Sequence, residues 1–262
     1  MEFIYKKAKI NYTKSGTGPI IVLLHGFLES SSMWKFLIQA FENTHTLIAI
    51  DLPGHGKSDC LGYIHTMETF AQVVENILHH EKIAEATFIG HSMGGYVCLA
   101  LIEKNPAICS RLLLLNSTTI KDSEERVENR NRAIRLLKTH REAYIKMAIT
   151  NLFAEASRDK FEVEIDALKE NALSFPVQGI IAALEGMKIR KDRTQVLKNL
   201  TSPKFIIAGK EDTIMPWEEV KIIADETNTF FYGLDGGHMS TIENRGALTE
   251  IIKKIISTKP TY

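Results

Sequence analysis

Cysteine is scarce in this sequence. Its 262 residues hold three, Cys60, Cys98 and Cys109. An odd, sparse set suits neither a disulfide framework nor a metal knot. That excludes a small stapled extracellular scaffold and points to a reducing compartment, so the cytoplasm is the expected location. Charge of one sign is missing too: 32 basic residues balance 32 acidic ones. Nucleic acid calls for a basic stripe and a membrane surface for a polybasic run, so neither partner is expected. No apolar stretch approaches the roughly 20 residues that span a bilayer. The first residues, MEFIYKKAKINYTKSG, lack the apolar core and small-residue cleavage site of a secretory leader, and none is expected. There is no internal repeat, which excludes solenoids and propellers, and no low-complexity segment.

The chain has instead an alternation of short apolar runs with amphipathic ones. Apolar residues make up 44% and charged residues 24%, enough for one large α/β domain or two small ones. Ile20–Leu24, Thr46–Ile50, Ala86–Ile89, Arg111–Asn116 and Pro203–Ala208 are continuously apolar or nearly so, as strands buried on both faces are. Phe3–Tyr5 and Ala8–Tyr12 read as an N-terminal hairpin, and Thr229–Tyr232 as a last strand. Helices are expected over Met33–Phe41, with Ser30, Ser31 and Ser32 as cap candidates, and over Met67–His80, Trp217–Glu226 and Arg245–Ile256. From about Ser117 to about Arg190 no strand-like run occurs. Lys121–Arg141 is densely charged with mixed signs, which reads as a solvated face. Tyr144–Phe153, Phe161–Leu173 and Val177–Met187 have helical spacing. The expected organisation is a core of residues 1–116 and 191–262 interrupted by a helical insertion, 117–190.

Strands alternating with helices imply a mostly parallel sheet covered on both faces. In such sheets ligands bind beyond the carboxyl ends of the strands. His25, Asp51, Ser92, Asn116, Asp212 and His238 all fall at or just past such ends. One of these ends has a sharper signature. Gly90-His91-Ser92-Met93-Gly94 joins a buried strand to a helix in a G-x-S-x-G turn. A serine forced into so tight a turn projects its hydroxyl clear of the sheet. Its neighbours two residues away must then be glycine-small. The helix that starts there turns free N–H groups toward any anion forming at the hydroxyl.

Taken in order, His25-Gly26-Phe27, Asp51-Leu52-Pro53-Gly54-His55-Gly56-Lys57-Ser58, the Ser92 turn with Gly95, Gly209-Lys210-Glu211-Asp212 and Gly237-His238 resemble the α/β-hydrolase superfamily over nearly the whole chain. The resemblance implies an eight-stranded, mostly parallel sheet with a helical cap inserted after Asn116. It implies Ser92 as nucleophile, His238 as base and acid, and Asp212 as the orienting carboxylate. Glu211 competes with Asp212, and Asn116-Ser117 offers no carboxylate at the earlier strand. His25 and His55 are expected to brace their loops, and His91 to point elsewhere. His45, His65, His79, His80 and His140 are expected on surface segments or strand starts.

The oxyanion donors implied are the backbone N–H groups of Phe27 and Met93. Candidate pocket side chains are Phe27, Trp34, Met93, Ile214, Met215 and Met239, with Tyr144, Phe153 and Phe175 from the insertion. The triad is expected to rest on the sheet alone, leaving the insertion to choose the substrate. No cofactor and no metal are expected. The implied activity is cleavage of small or medium carboxylic esters through an acyl-enzyme. Lactones, thioesters, carbon–carbon bonds, perhydrolysis or a signalling receptor are alternatives on the same triad. A serine nucleophile argues against the dehalogenases and epoxide hydrolases of the fold. Tyr96, where the menaquinone-pathway lyases carry Arg, argues against those. The sequence sets no oligomeric state.

Overall fold

A computed structural model describes residues 1–257. The chain opens with β1 (Glu2–Tyr5) and β2 (Ala8–Ser15), an antiparallel hairpin. Its two-residue turn places Lys6 and Lys7 at φ 47° and 74°, the left-handed geometry that matches strand twist. Next come β3 (Ile20–Leu24), a 3₁₀ turn at Ser31–Trp34, α1 (Lys35–Phe41), β4 (Thr46–Ile50), α2 (Met67–His80), β5 (Ala86–His91), α3 (Met93–Lys104) and β6 (Cys109–Leu115). Four helices follow without a strand: α4 (Glu124–Thr139), α5 (Arg141–Thr150), α6 (Glu162–Ser174) and α7 (Val177–Lys188). The chain closes with α8 (Thr194–Asn199), β7 (Lys204–Gly209), α9 (Trp217–Glu226), β8 (Phe230–Leu234), α10 (Ser240–Glu243) and α11 (Arg245–Ser257).

The strands form one eight-stranded sheet in the order β1-β2-β4-β3-β5-β6-β7-β8. All pairs from β4 to β8 are parallel, and the N-terminal hairpin joins antiparallel through β2. Side chains alternate across the sheet, as the two-residue strand period requires. Val22, Leu24, Ile48, Ile50, Phe88 and Leu112 pack on one face with α2 and α3. Ile21, Leu23, Leu47, Ala49, Ile89 and Leu113 pack on the other with α1 and α11. Both faces are covered, which is why the strands read as continuous apolar runs.

Two local expectations differ from the structure. The Met33–Phe41 helix starts as the 3₁₀ turn, and the serines before it do not cap through their side chains. Asp51 Oδ1 instead accepts the Ser31 N–H at 2.7 Å, while the Ser30 and Ser32 hydroxyls pair with each other. His65 is fully buried and not on a surface segment. Its Nε2 accepts the Leu61 N–H at 3.0 Å, and α7 packs over it.

The α4–α7 segment is docked tightly onto the strand-end loops. A Cβ on Gly179 of α7 would stand 2.5 Å from the Gly54 Cα, and one on Gly186 1.7 Å from the His65 carbonyl oxygen. Glycines seven residues apart lie on one helix face, so α7 lies backbone-to-backbone on the core. Arg126 of α4 reaches across to the Ile214 carbonyl at 2.6 Å. Among the described residues no helix is long and apolar enough to cross a membrane.

Candidate active site

Ser92 sits between β5 and α3 with φ 50° and ψ −114°. This left-handed backbone is costly for a residue with a Cβ, by about 1–3 kcal/mol, and persists only where surroundings enforce it. The enforcement is visible. Ser92 N–H donates to the Leu115 carbonyl at 3.0 Å, and the Ser92 carbonyl accepts from Ser117 Oγ at 2.8 Å. A Cβ on Gly94 would stand 2.2 Å from the Leu24 carbonyl oxygen, and one on Gly90 2.6 Å from the Gly94 and Gly95 backbone. Only glycine fits either place.

Asp212 follows β7 and is buried. Its Oδ1 accepts the N–H groups of Ile214 at 2.8 Å and Met215 at 2.9 Å. Its Oδ2 lies 2.7 Å from His238 Nδ1 and accepts from Asn116 Nδ2 at 3.0 Å. Burial works against the Asp212 charge. The neighbouring His238, the hydrogen bond to it and those from Met215 and Asn116 outweigh that, holding its pKa below the usual carboxylate value. Glu211 is exposed, and Asp235 is paired at the surface with Lys210.

His238 follows β8, and its loop is held from an unexpected side. Its backbone N–H donates to the Leu152 carbonyl at 2.8 Å. Glu243 accepts from Gly237 N–H with one oxygen and from Ala154 N–H with the other, both at 3.0 Å. The set of Ser92, Asp212 and His238 is therefore not carried by the sheet alone, contrary to expectation. The chain just after α5 holds the imidazole-bearing loop.

Ser92 and His238 open into one cavity of about 560 Å³, a size typical of small-molecule sites. Phe27, Tyr144, Ile214 and Met215 line it, together with Tyr96, Leu152 and Met187. Arg126 and Arg130 also line it, and Arg130 is paired with buried Asp122. A hollow of about 650 Å³ beside Lys6, Lys7 and Asp59 holds none of the strand-end residues.

Five expected pocket side chains lie elsewhere. Trp34 is turned under the sheet by the 3₁₀ turn and packs with Leu37 and Phe41. Met93 and Met239 are fully buried in the core. Phe153 is buried beneath the His238 loop, its ring 6.4 Å from that of Phe161. Phe175 is buried against His55, ring centres 5.7 Å apart, where the insertion meets the Asp51–Ser58 loop. The backbone N–H groups of Met93 and Phe27 donate to no other protein atom among the described residues.

His91 does not point away from the site. Its ring centre is 4.9 Å from that of His238, and it lines the cavity together with Glu29. Successive residues at a strand end face opposite sides of the sheet, so a place beside Ser92 in sequence does not by itself bring His91 to the site. The neighbouring His238 loop folds back over that side. His25 braces its loop: Nε2 accepts the Leu52 N–H at 2.9 Å and Nδ1 contacts the Gly26 carbonyl at 2.7 Å. Among the described residues no three His, Cys, Asp or Glu side chains gather as metal ligands. Cys60, Cys98 and Cys109 are free.

Comparison with known proteins follows the same outline. The model of the alpha/beta hydrolase fold family matches residues 19–245. A Bacillus subtilis (strain 168) protein described as "Uncharacterized hydrolase YugF" is 27% identical over 251 residues, covering 90% of this chain and 89% of that protein. The structure of a thermophilic esterase from Thermogutta terrifontis, described as malate bound, superposes with a TM-score of 0.90 at 29% identity, covering 95% of this chain and 93% of that one. An enol-lactonase from Burkholderia xenovorans LB400 superposes with a TM-score of 0.91 at 21% identity, covering 98% and 100%. At that identity the likeness is one of fold.

Proposed function

Because the chain belongs to the alpha/beta hydrolase fold family, we propose that it is a serine hydrolase of small or medium carboxylic esters. The single observation behind this is that a strained Ser92 and a His238 paired with Asp212 at 2.7 Å open on one cavity. The esterase neighbour at 29% identity supports the same reading.

The chemistry runs in two halves. Ser92 Oγ attacks the ester carbonyl carbon while His238 Nε2 takes the hydroxyl proton. Asp212 Oδ2 accepts the Nδ1–H, which leaves Nε2 as the base and stabilises the imidazolium. The oxyanion is held by the N–H groups of Phe27 and Met93, preorganised donors worth about 3–4 kcal/mol each. His238 then protonates the departing alcohol. A water, deprotonated by His238, attacks the acyl-enzyme and releases the acid and free Ser92. No metal or cofactor takes part, so a chelator should leave the rate unchanged. In this reading residues 1–116 and 191–262 are the core and 117–190 the cap that shapes the acyl or alcohol end.

The test is turnover of an acyl-chain-length series of activated esters by the wild type and Ser92→Ala. The variant should fold and lose kcat by on the order of 10⁴–10⁶. Ester turnover that survives in Ser92→Ala would remove Ser92 from its role. A wild type inert on every ester while binding a ligand tightly would favour a receptor.

A further inference from the structure

Beside the proposed triad lies a second buried ionisable pair with no part in the mechanism above. The Glu29 and His91 side chains are each 1% exposed and lie 2.8 Å apart, Oε2 to Nδ1. Glu29 Oε2 also accepts the Gly26 N–H at 2.7 Å. On the far side of the ring, His91 Nε2 is 2.9 Å from the His238 carbonyl oxygen. A Cβ on Gly26 would stand 2.6 Å from Glu29 Oε2 and 2.8 Å from His91 Nδ1, so a side chain there would have to displace the pair.

Each anchor is next to a working part. Gly26 precedes Phe27, the proposed oxyanion donor. His91 precedes Ser92. The carbonyl belongs to the base residue itself. A carbonyl oxygen can only accept, so Nε2 carries a proton. The Glu29 oxygen already accepts from Gly26, and, despite burial, Glu29 is held ionised below its usual pKa by His91 and the Gly26 N–H, so Nδ1 is the donor to it. A neutral imidazole has one N–H, so both contacts together require the doubly protonated ring.

We propose that Glu29 and His91 are positioning residues: as carboxylate and imidazolium they lock the oxyanion loop and the His238 loop to the nucleophile turn. This rests on the serine hydrolase reading. The lock holds only while His91 keeps both protons. Burial disfavours its charge, but Glu29, the hydrogen bonds to Glu29 and to the His238 carbonyl, and Asp212 outweigh that and raise its pKa above the ordinary value. The groups facing His91 are Glu29, Asp212, His238 and His25. Glu29 and Asp212 favour the cation, and the two imidazoles oppose it when charged. Glu29 is in turn held below its usual pKa: burial opposes its charge, and His91 overcomes burial.

The test is the pH dependence of kcat and KM on a small activated ester for the wild type and Glu29→Gln. A glutamine keeps the shape but not the charge, so His91 sheds its second proton at lower pH and one of its two contacts is lost. The expected result is a kcat reduced by on the order of 10²-fold, the scale of an ångström-level misplacement. KM should change little, and the alkaline edge of the kcat profile should move to lower pH. A Glu29→Gln enzyme with wild-type kcat and an unmoved edge overturns the proposal. So does a loss of the same factor at every pH. Should that variant not fold, the ¹⁵N ring spectrum of the wild type decides: both His91 nitrogens protonated at neutral pH supports the lock, and only one overturns it. If Ser92→Ala retains turnover, the serine hydrolase reading falls, whereas the ring spectrum reports on the pair alone.

Discussion

Asp212 has a separate task for each oxygen. Oδ1 gathers two backbone N–H groups and so shapes the loop, while Oδ2 faces His238 and Asn116. Asp212→Asn should therefore keep the fold and lose kcat by on the order of 10⁴, because an amide no longer favours the Nδ1–H tautomer. Glu211→Gln, at an exposed position, should stay near wild type. Steady-state kinetics on one ester rank the two, and the reverse ranking would move the acid by one residue. The strand-end positions of Ser92, Asp212 and His238 were legible in the sequence because each follows an apolar run. Asn116 was visible at such an end too, but not its partner, 96 residues away. Glu29 follows no strand directly, and its contact to His91 spans 62 residues. Pairings of that kind depend on how loops fold back, which no local pattern records.

At the scale of elements, α4–α7 decide more than the apolar spacing implied. Helices α5, α6 and α7 fall where helical spacing was read, while α4 occupies the charged Lys121–Arg141 stretch; the three aromatics proposed to face a ligand divide by role. Tyr144 lines the cavity, Phe175 seals the insertion onto the core, and Phe153 lies under the His238 loop. Spacing marks which residues a helix buries and not which buried surface borders a cavity. Tyr144→Ala should shift the preferred acyl length. Phe175→Ala should lower stability by about 3–5 kcal/mol, as large-to-small core changes do, without moving that preference. Phe153→Ala should lower kcat even on the smallest ester, since Leu152 and Ala154 hold the His238 loop. Chain-length profiles and denaturant midpoints on the three variants separate these outcomes. Gly186→Ala is a further check. Helix propensity alone favours alanine by about 1 kcal/mol. The 1.7 Å approach to the His65 carbonyl forces a backbone shift instead, so the midpoint should fall. A rise would mean that α7 is free to slide.

For the molecule as a whole, the buried imidazoles set the acid limit. Burial lowers the pKa of His25, lowers that of His55 well below the ordinary value, and lowers that of His65 from 6.5 to about 4. In the unfolded chain all three titrate near 6.5. Between about 6.5 and the folded values, the unfolded state binds more protons, so stability falls as pH falls. His91 acts with the opposite sign: its raised pKa adds stability below about 6.5 that is lost as pH rises through the folded value. Below about 6.5 the His91 contribution is already complete and adds no further slope, so the three depressed imidazoles alone set the trend there. Tm should therefore drop between pH 7 and pH 5, before Asp51 and Asp212, both held below their usual pKa, take up protons. A scan by circular dichroism tests this, and a Tm that is flat or rises toward pH 5 would contradict it. At this scale the sheet and its covering helices were the most legible part of the chain. Five strands that alternate side chains into two apolar layers have few other ways to bury themselves.

In the proposed mechanism everything turns on Ser92 as an activated nucleophile. Its most direct test is labelling with a fluorophosphonate ester, followed by digestion and mass spectrometry. One adduct per chain is expected, on the peptide carrying Ser92, with activity lost in proportion to labelling and no labelling of Ser92→Ala. An adduct on another residue, or full activity after exhaustive treatment, would contradict it.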